Sequence, residues 1–82
     1  MINLQSYNEV LDFLVLFFQK YILDSNCLHD MQYILDGCRK EKMVAIRAID
    51  SCFMEYRRKT QDYRVPTYEE QEIWRRLFNI WQ

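Results

Sequence analysis

Glycine and proline are nearly absent from this chain, which has one of each, Gly37 and Pro66, in 82 residues. Sheet proteins need many tight turns, and tight turns use glycine, proline and asparagine. The scarcity of glycine and proline therefore argues against an all-β fold and favours a few long helices with short connections. A single glycine also excludes a glycine-rich phosphate-binding loop.

Histidine is equally scarce, since His29 is the only one. A Ser–His–Asp or Cys–His catalytic apparatus would therefore have to use it. Cys27 lies two residues away, which on a helix places the two side chains on nearly opposite sides. We therefore predict that the protein is not an enzyme and that His29 is exposed in the first turn of a helix.

The cysteines Cys27, Cys38 and Cys52 are odd in number and lack the close spacing of structural zinc ligands. Together with His29 they could be written as a Cys₃His metal set. Cys38 and Cys52, however, fall on apolar helix stripes, where a free cysteine acts as a small buried hydrophobe. We therefore predict no metal and no cofactor, with reduced thiols in the cytoplasm.

Positive charge is rare in residues 1–37, where Lys20 is the only Lys or Arg against five acidic residues. Residues 38–82 carry ten Lys or Arg against seven acids, so the net charge of −1 divides into −4 and +3. The two halves either attract each other in the fold or solvate separate faces, or the basic half meets an acidic partner. Because no positive charge precedes the apolar run at residues 13–18, we expect no secretion signal.

The longest apolar run is Phe-Leu-Val-Leu-Phe-Phe at residues 13–18. It is far shorter than the roughly 18 residues that indicate a membrane span. A surface helix has a single apolar stripe, and a domain this small buries only about 60% of its unfolded surface. The run therefore belongs either to the central helix of the fold or to a surface that waits for a partner. We predict a homodimer or a partner-dependent state.

Two capping boxes mark helix starts. Ser6 is followed by Glu9, and Thr67 is followed by Glu70, the spacing at which each side chain bonds the backbone N–H of the other. Residues 61–66 read as a linker that ends at the chain's one proline.

The apolar periodicity predicts an all-α fold, a compact bundle of three to four helices in a single domain over residues 1–82. Gly37 is interpreted as a helix end. The predicted helices cover residues 7–23, 27–37 and 40–60, with a last one from Thr67 to near the C-terminus.

The second and third predicted helices loosely resemble a helix-turn-helix. Four basic residues would lie near the start of its second helix: Arg39, Lys40, Lys42 and Arg47. Two acids, Glu41 and Asp50, interrupt that face, and the pI is about 5.7, whereas nucleic-acid-binding domains are clearly basic. Nucleic acid is therefore an unfavoured partner, and DNA binding is kept as the alternative function.

Aromatic and arginine side chains are the candidates for a protein interface, because Trp and Arg most often dominate such surfaces. The alternative is that the tryptophans are core residues and that the arginines solvate a helix end. The candidate partner-binding residues are Phe13, Phe17, Arg57, Arg58, Trp74, Phe78 and Trp81.

The opening segment MINLQSYNEVLDFLVLFFQKY, together with the chain length and the helical, cytosolic character, resembles the lysis-inhibition accessory proteins of T-even bacteriophages. The resemblance implies a protein of the host cytoplasm that delays lysis by supporting the antiholin in restraining the holin, through the holin's cytoplasmic part. It carries no residue roles with it. A toxin or host-enzyme inhibitor is a further alternative.

Overall fold

The computed structural model describes residues 2–82, which form four helices and no strand. All four helices contribute side chains to one hydrophobic core. The predicted all-α bundle is therefore confirmed. The helices are α1 (Tyr7–Tyr21), α2 (Ser25–Glu41), α3 (Ile46–Thr60) and α4 (Tyr68–Trp81).

The helix starts follow the caps that the sequence indicates. The Thr67–Glu70 capping box is complete, with Glu70 N donating to Thr67 Oγ1 at 3.2 Å and Thr67 N donating to Glu70 Oε1 at 2.9 Å. At α1 only half of the box forms. Ser6 Oγ accepts from Glu9 N, but the Glu9 carboxylate accepts from Asn3 N instead.

The boundary between α2 and α3 differs from the sequence prediction. α2 continues through Gly37 to Glu41 because Cys38 extends its buried stripe, and an exposed glycine is tolerated inside a helix. Lys42 ends the helix in the left-handed conformation, at φ 56°. The predicted end at Gly37 and the predicted start of the third helix at residue 40 are therefore wrong.

α1 contributes more buried side chains than any other helix, six against four, three and one for α2, α3 and α4. Of its six-residue apolar run, five side chains are buried or half-buried, and Leu16 is 68% exposed. Phe18 and Phe17 pack against Phe53 of α3 at centroid distances of 5.2 and 5.7 Å, and Phe17 also contacts Trp74 of α4. The bundle thus covers most of the run. This coverage removes the main reason for expecting a homodimer, which stays an untested prediction.

The thiols are less uniformly buried than their sequence positions predict. Cys38 is buried, as expected, but Cys52 is only half-buried, while Cys27 is buried as well. Cys52 lies at the edge of the buried face of α3, which is centred on Ile49 and Phe53. Within residues 2–82 no helix has the length and apolar character that crossing a membrane requires.

Candidate protein-binding groove

A groove of about 430 Å³ lies between α3, α4 and the linker that joins them. Three aromatic rings from three different helices form its floor: Phe17, Phe53 and Trp74. Met54 of α3 and Val65 of the linker form its apolar walls. The groove is therefore apolar at its base and is assembled from distant parts of the chain.

The floor is fixed around Trp74. Its ring stacks on Phe17, with centroids 5.4 Å apart and planes 15° from parallel, and meets Phe53 edge-on at 6.3 Å. Its Nε1 donates to Asp50 Oδ1 at 3.0 Å. Because both the ring and its polar edge have partners, the indole is held in one orientation.

The walls expose much of their apolar surface. Met54 lies outside the buried face of α3 and is 59% exposed. Val65 is 76% exposed, on a segment that Pro66 keeps extended. The linker is tied to α3 because Arg57 Nη2 donates to the carbonyl oxygen of Arg64 at 2.6 Å.

Glu70 joins the groove to the end of α1. Its carboxylate accepts from Tyr21 Oη at 2.5 Å, from Lys20 Nζ at 3.3 Å and from Thr67 N. Burial alone would raise the pKa of Glu70, but the hydrogen bonds from Tyr21, Thr67 and Lys20 together lower it below its ordinary value. The carboxylate is therefore ionised at neutral pH, and its charge is used within the protein.

Two other charged residues of the groove are not paired in this way. Neither Asp50 nor Arg57 forms an ion pair with any residue that the structure describes. The guanidinium of Arg57 lies 5.0 Å from the ring centroid of Phe53. Arg75, by contrast, donates to Glu72 Oε2 at 2.8 Å.

Three of the seven residues selected from the sequence line the groove: Phe17, Arg57 and Trp74. Phe17 is only 4% exposed, so it is a core residue whose ring edge reaches the groove floor. Trp74 and Arg57 are half-buried, which leaves part of each side chain accessible.

The other four selected residues lie outside the groove. Phe13 and Phe78 are half-buried and pack beside its floor, against Phe17 and Trp74 respectively. Trp81 is half-buried, and its Nε1 donates to the backbone carbonyl of residue 4 at 2.8 Å. Arg58 is exposed on α3. The structure thus does not bring the seven residues together into one surface.

Sequence reasoning missed Met54, Val65 and Asp50. Met54 lies outside the apolar stripe of α3, and Val65 lies in the linker. An apolar residue at a position where a polar one is expected is a signal that could have identified both. Asp50 has no signal of its own, because its role depends on the approach of Trp74 from α4.

The residues considered for chemistry are separated. His29 is exposed and Cys27 is buried, as their two-residue spacing predicts. Burial raises the pKa of the Cys27 thiol, which makes the nucleophilic thiolate scarcer. In the part of the chain that the structure describes, no three His, Cys, Asp or Glu side chains are grouped so as to hold a metal ion.

The basic residues of the helix-turn-helix interpretation are partly engaged elsewhere. Arg39 donates to Asn8 at 2.8 Å and to Asp12 at 3.0 Å on α1. Arg47 donates to the side chain of Gln82 at 3.1 Å. These contacts give the arginines a structural use within the bundle.

No protein-family model, no curated protein and no solved structure matches the chain.

Proposed function

We propose that this protein is a small non-enzymatic regulator that binds another protein in the groove between α3 and α4. The observation that carries the proposal is the exposure of Met54 and Val65 in the same groove as a half-buried Trp74. Grouped apolar surface on a small domain marks a contact site, and methionine suits such sites because its side chain adapts its shape.

The resemblance of residues 1–21 to lysis-inhibition accessory proteins supports a more specific proposal. The protein acts in the cytoplasm of an infected host and helps the antiholin to restrain the holin. Its partner is then the cytoplasmic part of the holin, the antiholin, or both. The DNA-binding alternative has less support, because Arg39 and Arg47 bond to other parts of the bundle.

A lysis-timing assay tests this function. Cells infected with phage that lacks the natural copy are supplied with wild-type protein, Met54→Asp or Leu16→Asp. We expect Met54→Asp to advance lysis to the time seen without the protein, because burying a charge against an apolar partner is costly. Leu16 is similarly exposed but lies on α1, so Leu16→Asp is the matched control and should keep the delay.

Early lysis with Leu16→Asp and normal timing with Met54→Asp would place the contact on α1 and contradict the groove. Thermal melts of both variants exclude a folding defect as the cause.

Replacement of the one histidine tests the non-enzymatic part of the proposal. His29→Ala should leave the lysis delay intact, because His29 is exposed and separated from the buried Cys27. Loss of the delay at an unchanged melting temperature would contradict a purely binding role.

A further inference from the structure

We infer that the groove receives an amphipathic helix of the partner protein, laid along α3, with an acidic and a basic side chain seven residues apart. This inference rests on the proposed function and specifies the class of partner segment that the groove accepts.

The unpaired charges of the groove give the spacing. Asp50 and Arg57 are seven residues apart on α3, which places their Cα atoms on one face of the helix, about 10.5 Å apart along its axis. Both line the groove, and neither forms an ion pair with a residue that the structure describes. The other charges of the lining, Glu70 and Arg75, are already paired.

Both side chains keep bonding capacity for a partner. Trp74 uses only Oδ1 of Asp50, so Oδ2 is available. Arg57 donates one N–H to the carbonyl of Arg64, whereas a guanidinium has five to donate. An apolar occupant would cover these charges without pairing them, which is strongly unfavourable. An occupant that fills the groove therefore needs a base opposite Asp50 and an acid opposite Arg57.

A helix matches this spacing and a strand does not. Same-face side chains on a strand recur about every 6.7 Å, so the separation of about 10.5 Å falls between two positions. On a helix, positions i and i+7 bracket apolar side chains at i+3 and i+4. Those apolar side chains would face Phe53 and Met54, which lie between Asp50 and Arg57 on α3.

Synthetic helical peptides test the charge pattern on the full chain. The Trp81→Phe background leaves Trp74, in the groove floor, as the only tryptophan, and its emission reports occupancy. Peptides of about 21 residues, long enough to form a helix, carry a leucine face without Trp or Tyr. The peptides differ only at two positions seven residues apart. Two mixed-charge peptides carry Glu and Lys there, one in each order, and two like-charge peptides carry either two Glu or two Lys. We expect the better mixed-charge peptide to bind about tenfold more tightly than either like-charge peptide.

Protein variants show whether the two charges of α3 cause the preference. Arg57→Gln should remove the advantage of the mixed peptide over the two-Lys peptide. Asp50→Asn keeps an acceptor for Trp74 and should remove the advantage over the two-Glu peptide. Arg58→Gln is the matched control, because Arg58 is adjacent but outside the groove. Equal affinities of all peptides for the unaltered groove, or equal effects of Arg57→Gln and Arg58→Gln, would overturn the inference.

Two further results separate this inference from the proposed function. Early lysis with Met54→Asp but normal lysis with both Arg57→Gln and Asp50→Asn keeps the function and overturns the charged helix. Charge-selective peptide binding with normal lysis timing in Met54→Asp supports the charged helix and overturns the function.

A change in Trp74 emission with protein concentration alone, accompanied by a sedimenting dimer, would assign the groove to a second copy and overturn the inference.

Discussion

The apolar run of α1 and the groove between α3 and α4 differ in where their apolar side chains face. The run is six apolar residues long, yet Leu16 is its only largely exposed member among the residues that the structure describes. The groove takes its residues from α1, α3, the linker and α4, and two of its apolar residues, Met54 and Val65, are mostly exposed. A long apolar run thus indicates a core element here, whereas the exposed apolar surface is assembled from isolated residues.

Phe17 belongs to both regions. It is buried within the run, and its ring supports Trp74 in the groove floor. The core and the groove are therefore mechanically connected, and substitutions that affect one without the other sharpen the comparison.

The largest expected effect is a difference in stability between substitutions of Phe17 and Leu16, which are neighbours in the run. Phe17→Ala should lower the free energy of unfolding by about 3–5 kcal/mol, because it leaves a cavity among packed rings. Leu16→Ala should change it by less than about 0.5 kcal/mol, as exposed substitutions do. Urea unfolding followed by circular dichroism measures both. Similar losses for the two variants would mean that the run is not divided into a covered and an uncovered side.

A smaller effect concerns the contact between α1 and α4. Tyr21→Phe removes the hydrogen bond to Glu70 and should lower the free energy of unfolding by about 1.5–3 kcal/mol at pH 7. Tyr33→Phe is the control, because Tyr33 is exposed.

The loss of stability in Tyr21→Phe should depend on pH. The hydrogen bonds hold the pKa of Glu70 below its ordinary value of 4.5. The stability that they contribute is therefore present above pH 4.5 and is lost as the pH falls through the lower folded-state pKa. The difference in melting temperature between wild type and Tyr21→Phe should narrow as the pH falls below 4.5. A constant difference over that range would contradict the role of Glu70.

The smallest effect has the opposite sign and lies outside both regions. Gly37 is inside α2, and an added Cβ would meet nothing within 4 Å. Gly37→Ala should therefore raise the free energy of unfolding by about 0.5–1 kcal/mol through higher helix propensity. A destabilised variant in the same urea titration would show that the glycine is needed for packing.

The parts of the fold that depend on nearby residues could be predicted from the sequence. The Thr67–Glu70 box forms as predicted because both partners lie within one helical turn. The end of α2 could not be predicted, because Lys42 takes the left-handed position that glycine usually occupies. The prediction of a helix end at Gly37 is wrong for the same reason.

The groove was only partly predictable. Trp74 and Arg57 are residue types common in interfaces, and both line it. Its walls, Met54 and Val65, depend on how α3, the linker and α4 approach each other, which no local pattern encodes.

The shallow burial of α4 has a consequence for the population of molecules that can bind. In the chain from residue 2 onward, Leu77 is the only buried side chain of α4, against six in α1. Segments with few buried contacts open at a lower free energy than the whole domain, so we expect α4 to detach first. Each detachment of α4 removes one side of the groove. A bound partner would suppress this detachment by mass action. Occupancy of the groove would then be recorded as slower amide exchange along α4, far beyond the residues that touch the partner.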